Sequence, residues 1–283
     1  MDDLAPLVAD WPVGSAVLAV TDASDIRGAT GDLDCVIGIA SVSKIVVGLA
    51  GLVAIEEGTI DLDEPAGPPG STVRHLLAHA SGLGFEEDRP RFPPGTRRLY
   101  SNPGIEWFAD HLAARARMPF VEYLTEGVLQ PLAMTSTKLV GTPAHGIHSS
   151  TGDLLAFARE LLAPTLVSPR TLATATTTQF PDLAGVVPGV RHYDPCPWGL
   201  TFEIRGDKQP HWTGTTNSER TFGHFGGSGT FLWVDPVAGL AVVALTDRRF
   251  GPWALKAWPE ASDRILAKYD DSARDQSGRA VKP

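Results

Sequence analysis

Cysteine is scarce in this chain, whose 283 residues include only Cys35 and Cys196. Neither cysteine lies in a Cys-x-x-Cys pair or at a Cys/His spacing that would indicate a metal or redox centre. Two cysteines also cannot build a framework of several disulfides. We therefore expect two reduced thiols, no metal and no cofactor.

Positive charge is also in short supply: 24 Lys and Arg residues stand against 33 Asp and Glu residues, giving a formal net charge of −9. The sequence has no block rich in Lys and Arg. Proteins that bind nucleic acids need a basic stripe to neutralise phosphates. The charge pattern therefore argues against a nucleic-acid partner.

Long hydrophobic runs are missing as well. The one apolar stretch that could suggest a membrane, Ile45 to Ile55, is too short to cross about 30 Å of hydrocarbon as a helix, and we expect a buried helix there. The start of the chain, MDDLAPLVADWP, is acidic and lacks the positive and apolar regions of a secretory signal. We therefore expect no membrane partner and a cytoplasmic location.

The composition that remains is that of an ordinary globular protein, with 43% hydrophobic residues and 20% charged residues. β-branched and small apolar residues at 13–22 and 32–41 predict two early strands, with a turn near 28–31. Apolar residues then repeat at helical spacing from Val42 to Glu57 and Gly58 follows. This pattern predicts a helix that begins near Ser41.

The remaining segments differ between the middle and the end of the chain. Apolar spacings of three and four predict short helices at 71–80, 101–116, 119–132 and 150–163. Strand-length segments rich in β-branched and aromatic residues follow at 198–206, 220–229, 230–236 and 239–247. A hairpin turn is expected at 235–239, and a closing helix at 253–268 precedes a polar tail.

This order of elements predicts an α/β (α+β) fold. We expect an antiparallel sheet assembled from both termini, residues 1–64 and 199–283, and flanked by helices. The mostly helical region, residues 65–198, is inserted between those two parts. A cleft between the sheet and the helices is then the expected place for a site.

Ser41 and Lys44 form the first chemically suggestive pair. Positions i and i+3 share one face of a helix, so the hydroxyl and the amine would lie within reach of each other. A lysine whose pKa is lowered by burial can take the proton of a serine and make it a nucleophile. A Ser-x-x-Lys tetrad alone is weak, because a cap residue followed by a lysine that extends to solvent has the same spacing.

Two later motifs add to the first. Tyr100, Ser101 and Asn102 stand just before a predicted helix, and the run His224-Phe-Gly226-Gly227 enters a late strand. In this order the three motifs resemble those of the serine β-lactamase and penicillin-binding-protein superfamily. The Tyr-x-Asn form is similar to that of class C β-lactamases, DD-peptidases and family VIII esterases. Supporting phrases include HLLAHASGL, LQPLAMTST and SSTGDLLAFARELL.

The resemblance covers about residues 13–247 and implies a single domain of the β-lactamase/transpeptidase-like fold. It implies catalytic roles for Ser41, Lys44 and Tyr100, with Ser41 as the nucleophile that forms an acyl-enzyme. Lys44 and Tyr100 would share the general-base work, and this resemblance leaves open which of them holds the proton.

The resemblance also implies substrate-binding roles for Asn102, His224, Gly226 and Gly227. Asn102 would hydrogen-bond Lys44 and the acyl side of the substrate. The backbone N–H groups of Ser41 and Gly227 would form an oxyanion hole. Glycine at 226 and 227 would let the substrate approach the strand closely.

The third motif departs from the common pattern. His224 stands where many β-lactamases carry lysine, and an imidazole with an ordinary pKa near 6.5 is only partly charged at neutral pH. Phe225 replaces a residue with a hydroxyl. Both changes favour small esters or amides over substrates that carry a C-terminal carboxylate.

Several functions fit this pattern. The first is a serine hydrolase of small esters or amides, with a small-molecule ester, amide or peptide as its partner. A DD-peptidase, a penicillin-binding protein or a weak β-lactamase would use the same machinery, and acyl transfer shares its first half-reaction. A non-catalytic ligand-binding protein of the same fold is a further alternative. His75 and His79 have zinc-helix spacing but lack a third ligand, so we expect no metal there.

Overall fold

The computed structural model describes residues 1–269, and the predicted polar tail lies outside the described residues. Its helices are α1 Ala5–Val8, α2 Ser43–Glu56, α3 Val73–Leu77, α4 Asn102–Ala116, α5 Phe120–Leu124, α6 Thr151–Leu162, α7 Pro169–Ala175 and α8 Pro252–Tyr269. A 3-10 turn, Ala40–Val42, precedes α2, and a π-helical turn, Thr125–Leu129, follows α5.

The strands are β1 Asp2–Asp3, β2 Ala16–Thr21, β3 Ile26–Thr30, β4 Ile37–Gly38, β5 Lys138–Leu139, β6 Ile147–Ser149, β7 Gly185–Val187, β8 Arg191–Tyr193, β9 Glu203–Ile204, β10 Phe222–Gly226, β11 Thr230–Asp235 and β12 Leu240–Thr246. The main sheet has the order β1-β3-β2-β12-β11-β10-β9. Among the strand pairs of this sheet described within residues 1–269, only β1–β3 is parallel. The expected antiparallel sheet from both ends of the chain is confirmed.

Alternating side chains place the sheet between two hydrophobic layers. On β2, Val17 and Ala19 face the core that contains α2 and α6, whereas Leu18 and Val20 face the core that contains α8. This period-2 alternation is what a strand produces when both of its faces are buried. The sheet is therefore covered by helices on both sides.

Helix α2 lies in the first of these layers. Every residue from Ser43 to Ala54 is buried, and the predicted helix over Val42 to Glu57 is confirmed. The predicted helices of the middle region and the closing helix are also confirmed as α3, α4, α5, α6 and α8. None of the helices described within residues 1–269 combines the length and the hydropathy needed to cross a membrane.

The second early strand was predicted in the wrong place. The strand is β3, at Ile26–Thr30, where the sequence suggested a turn, and only the two residues of β4 are extended within 32–41. The turn lies earlier because Asp22 Oδ1 accepts hydrogen bonds from the backbone N–H groups of Ser24 and Asp25, both at 2.8 Å.

Two smaller differences concern short strands. The strand predicted at 198–206 is reduced to β9, because the backbone from 198 to 202 forms a turn that packs on α3 and α7 through Thr201 and Leu200. The middle region also contains the short strands β5, β6, β7 and β8. The division into a sheet region and a helical region at residues 64 and 198 stays a prediction.

Candidate active site

Ser41 lies in the 3-10 turn directly before α2, at the edge of the main sheet. The turn is held by the β10–β11 hairpin: Thr230 Oγ1 donates to the carbonyl of Ile39 at 2.9 Å, and Ser228 Oγ donates to that of Gly38 at 3.0 Å. Ala40 has a φ of +46°, an uncommon value for a residue with a side chain. The fold thus fixes the backbone around Ser41 from two directions.

Lys44 is fully buried in the first turn of α2, three residues after Ser41. Its Nζ lies 3.3 Å from Ser41 Oγ, 2.6 Å from Asn102 Oδ1 and 2.8 Å from the carbonyl oxygen of Ala144. The structure therefore brings the first and second sequence motifs together around one amine. No motif in the sequence predicted the contact between Lys44 and the carbonyl of Ala144.

Burial lowers the pKa of Lys44 to about 7, although the carboxylates of Glu86 and Glu106 raise it in part. Near neutral pH a sizeable share of the amine is therefore unprotonated. A neutral amine has two N–H groups and one lone pair. Asn102 Oδ1 and the Ala144 carbonyl are acceptors and take the two N–H groups, which leaves the lone pair for Ser41 Oγ–H.

Asn102 is the first residue of α4, and Ser101 caps this helix by accepting a hydrogen bond from the backbone N–H of Gly104 at 3.0 Å. The Asn102 side chain connects two groups, because Nδ2 donates to Glu86 Oε1 at 2.8 Å while Oδ1 accepts from Lys44. Glu86 thereby determines which end of the amide faces the lysine.

Tyr100 is buried beside the same amine, with Lys44 Nζ 4.7 Å from the centre of its ring. Burial raises the pKa of its hydroxyl above the ordinary value, and a hydrogen bond with Ser41 only partly offsets this. The phenol is therefore protonated at neutral pH. The hydroxyl is thus in the form that can donate a proton.

The Tyr100 segment is positioned by residues outside the three motifs. The His79 ring contacts the Tyr100 ring in a tilted arrangement, with 4.6 Å between their centres, and its Nδ1 accepts from the backbone N–H of Ser101 at 3.2 Å. The buried guanidinium of Arg98 donates to four carbonyl oxygens, those of Ala78, Gln179, Phe180 and Cys196. His79 belongs to the phrase HLLAHASGL, in which a structural role is expected for it.

His224 lies on β10 and is buried, with its ring 5.6 Å from that of Tyr100 and 5.8 Å from that of Trp198. Burial and the nearby Lys44 lower the pKa of His224 to about 4. The ring is thus neutral at pH 7, not partly charged as expected. Nδ1 must carry the proton because it contacts the carbonyl of Phe225 at 2.7 Å, so Nε2 has none to donate.

Gly226 and Gly227 differ in their surroundings. A Cβ on Gly226 would collide with the carbonyl of Ile39 and with Thr230 Oγ1. Gly226 therefore lets β10 pack against the 3-10 turn, which corrects the expectation that it makes room for substrate. A Cβ on Gly227 would meet nothing within 4 Å.

Gly227 lines a cavity of about 540 Å³ that also contains Ser41. The other lining residues are Ile37, Gly38, Ala40, His145, Ser228, Thr246, Asp247 and Arg249. Of the motif residues, Ser41 and Gly227 open into this space, whereas Lys44, Tyr100, Asn102 and His224 are buried. A small carbonyl compound could reach the hydroxyl from here.

The two histidines with zinc-helix spacing do not converge. His75 Nδ1 lies 2.9 Å from Thr72 Oγ1, whereas His79 faces Tyr100. Within residues 1–269, no group of three His, Cys, Asp or Glu side chains is placed to hold a metal ion.

Comparison with known proteins agrees with this geometry. A crystal structure of a β-lactamase from Mycobacterium bovis is 51% identical, with a TM-score of 0.92 over 94% of this chain and 98% of that one. A β-lactamase from Pseudomonas fluorescens is 27% identical over 66% of this chain and 63% of its own length. The D-alanyl-D-alanine-carboxypeptidase/endopeptidase AmpH of Escherichia coli is 26% identical over 39% of this chain and 38% of its own length.

The chain thus spans less than two thirds of the length of these curated relatives. The fold is that of the β-lactamases, as the match to the Mycobacterium bovis structure shows. The β-lactamase family model matches residues 7–265, which is nearly the whole chain. The protein is therefore a member of the β-lactamase family.

Proposed function

We propose that the protein is a serine hydrolase that cleaves small esters or amides through an acyl-Ser41 intermediate. The observation that carries this proposal is the surroundings of Lys44: a buried amine with a pKa of about 7, held by two acceptors and 3.3 Å from Ser41 Oγ. Such an amine is a general base for the serine at neutral pH.

The first half-reaction follows from these contacts. Lys44 Nζ takes the proton of Ser41 Oγ–H as Oγ attacks the carbonyl carbon of the substrate. The oxygen of the tetrahedral intermediate is held by the backbone N–H groups of Ser41 and Gly227. When the intermediate collapses, the bond to the leaving alcohol or amine breaks, and the departing group takes up a proton. Water then cleaves the acyl-enzyme by the same route.

Tyr100 supplies that proton to the leaving group in this proposal. Its hydroxyl is protonated at neutral pH because burial raises its pKa, and the hydroxyl interacts with Ser41. Lys44 can then return its proton to Tyr100, so that the pair is reset for the next step. This assigns the base role to Lys44 and the acid role to Tyr100.

The third motif supports substrates without a carboxylate. His224 is neutral at pH 7, and its one N–H is already donated to the carbonyl of Phe225. Phe225 has no hydroxyl to add a second donor. Neither residue can therefore bind a substrate carboxylate in the way that a lysine and a threonine could.

β-Lactam acylation is the second candidate, and Arg249 favours it. This exposed arginine lines the same cavity as Ser41 and Gly227, where its guanidinium could meet the carboxylate of a penicillin. Relatives that carry the name β-lactamase agree with this candidate. An Arg249→Gln variant should then lose reaction with penicillin while it keeps reaction with neutral esters.

The test is intact-protein mass spectrometry after incubation with a fluorophosphonate and, separately, with a penicillin. Wild type, Ser41→Ala and the matched control Ser43→Ala are compared, because Ser43 lies in the same tetrad but accepts a hydrogen bond from the backbone N–H of Ile147. We expect one fluorophosphonate adduct on wild type and Ser43→Ala and none on Ser41→Ala.

A stable penicilloyl adduct on wild type would favour the second candidate over the esterase. Adducts that survive in Ser41→Ala would contradict the assignment of the nucleophile. If neither reagent labels wild type, the proposed catalysis is wrong and the ligand-binding alternative stands.

A further inference from the structure

Glu86 is a carboxylate at the edge of the candidate active site to which neither the motifs nor the proposed mechanism gives a role. Three consecutive contacts connect it to the nucleophile: Ser41 Oγ to Lys44 Nζ at 3.3 Å, Lys44 Nζ to Asn102 Oδ1 at 2.6 Å, and Asn102 Nδ2 to Glu86 Oε1 at 2.8 Å. The residue itself is exposed, so its carboxylate is accessible from solvent.

The carboxylate of Glu86 can accept more hydrogen bonds than the one from Asn102. An ionised carboxylate offers about four lone-pair sites, and Asn102 Nδ2 uses one of them. Within residues 1–269, no lysine, arginine or histidine forms an ion pair with it. Its charge nevertheless acts on the site, because it raises the pKa of Lys44.

The contact also changes what Asn102 offers to a substrate. One N–H of its amide is committed to Glu86, and its oxygen is committed to Lys44. The Asn102 amide keeps one free N–H, and the carboxylate of Glu86 lies beside it. His224, whose ring lies 5.6 Å from that of Tyr100, is neutral and adds no positive charge that would offset Glu86 for an anionic acyl group.

We propose that Glu86 is a specificity-determining residue that selects acyl groups carrying a cationic nitrogen near the carbonyl, such as α-amino esters and α-amino amides. This inference rests on the proposed acyl-Ser41 chemistry. An ammonium group one carbon from the reacting carbonyl lies close to Asn102 in the acylation complex. From there its N–H groups donate to the free oxygen of Glu86.

The experiment measures kcat/KM for alanine methyl ester, in both enantiomers, against the N-acetyl derivative, which lacks the positive charge. Wild type is compared with Glu86→Gln, which keeps an acceptor for Asn102 but removes the charge. Glu87→Gln is the matched control, because the carboxylate of Glu87 pairs with Arg91 and not with Asn102. Protection of Ser41 from fluorophosphonate by alanine amide and by N-acetylalanine amide gives the same comparison without turnover.

We expect wild type and Glu87→Gln to prefer the cationic compounds by about fivefold, the size of an exposed ion pair, and Glu86→Gln to lose this preference. The midpoint of fluorophosphonate labelling against pH should also move to lower pH in Glu86→Gln, since the charge that raises the pKa of Lys44 is gone. A merely structural role for Glu86 would not move this midpoint.

Equal reaction of wild type with both compounds, or a preference that survives in Glu86→Gln, would overturn the inference while leaving the hydrolase proposal intact. Failure of the hydrolase proposal has a different signature, because Ser41 would then take no fluorophosphonate at all. That result would overturn the inference as well.

Discussion

Lys44 and His224 are two basic side chains buried in the same site, and burial lowers the pKa of both. The pKa of Lys44 falls from a high ordinary value to about 7, where proton transfer at neutral pH is most effective. His224 starts from a value near neutrality and falls to about 4. The same physical cause therefore leaves a partly neutral amine in one case and a neutral ring in the other.

The pH dependence of Ser41 labelling follows from Lys44. Below pH 7 the amine is protonated and cannot accept the serine proton, whereas above pH 7 it is neutral. The rate of fluorophosphonate labelling should rise with pH, with a midpoint near 7. Stopped reactions between pH 5 and 9, read by mass spectrometry, test this, with Lys44→Met as the inactive control. A flat profile would contradict the base role.

Removing the Tyr100 hydroxyl should separate catalysis from packing. In Tyr100→Phe the ring keeps its contacts with His79, Phe85 and Trp198. The proton donor is lost, so the kcat of ester hydrolysis should fall by about 10²- to 10⁴-fold. A Tm close to that of wild type, measured in parallel, would show that the fold is unchanged. Wild-type turnover in this variant would remove Tyr100 from the mechanism.

At the scale of elements, the β10–β11 hairpin and the 3-10 turn before α2 determine the position of Ser41. Hydrogen bonds from Thr230 and Ser228 to the carbonyls of residues 39 and 38 join the two elements. Gly226 makes this contact possible, because β10 approaches the 3-10 turn too closely for a side chain to fit between them. The site thus depends on a contact between segments far apart in the chain.

A pair of glycine substitutions tests the contact between β10 and the 3-10 turn. Gly226→Ala places a methyl group against the Ile39 carbonyl and Thr230, so we expect a loss of stability of about 1–3 kcal/mol. Gly227→Ala is the matched control for stability, since its Cβ meets nothing within 4 Å and its φ is not positive. Urea denaturation of both variants gives the comparison. Equal stabilities would mean that the two elements separate easily.

At the scale of the whole molecule, a buried ion network joins β9 to the long loop that leads from β9 to β10. Glu203 on β9 accepts from Lys208 Nζ at 2.9 Å and from Trp212 Nε1 at 2.7 Å, and His211 Nε2 lies 3.0 Å away. Burial raises the pKa of Glu203, but Lys208 and His211 outweigh it, so that the pKa lies well below its ordinary value.

Breaking this network from one side should be costly. Lys208→Met leaves the buried charge of Glu203 without its main partner, and we expect the free energy of unfolding to fall by about 3–5 kcal/mol. Lys256→Met, at an exposed position of α8, is the control that removes a positive charge from the surface. Urea denaturation at pH 7 measures both. Similar stabilities would show that the ion pair contributes little.

The loss of stability at acidic pH gives an independent test of the ion pair between Lys208 and Glu203. A carboxyl with a depressed pKa stabilises the fold above its ordinary pKa, and this contribution is lost as the pH falls. Wild type should therefore lose stability on acidification more steeply than Lys208→Met does. The slope of the unfolding free energy against pH below about 5 measures this difference.

The sequence by itself determined the elements whose signals are local. Helical spacing of apolar residues identified α2, α4 and α6, and segments rich in β-branched, small apolar and aromatic residues identified β2, β11 and β12. Ser41 and Lys44 are three residues apart on adjoining helical turns, so their contact could also be predicted. These features follow from neighbouring residues, and the three motifs in order were enough to indicate the family.

Only the tertiary structure decided the partners that come from distant segments. Lys44 meets a carbonyl one hundred residues later, at Ala144, and Asn102 is oriented by Glu86, a loop residue that no periodic pattern marks. His224 is neutral because its position on β10 is buried in the folded chain. The turn at Asp22 places β3 earlier in the sequence than the predicted second strand. Burial and long-range hydrogen bonds are properties of the packed chain, because they arise only when segments that are remote in sequence are brought together.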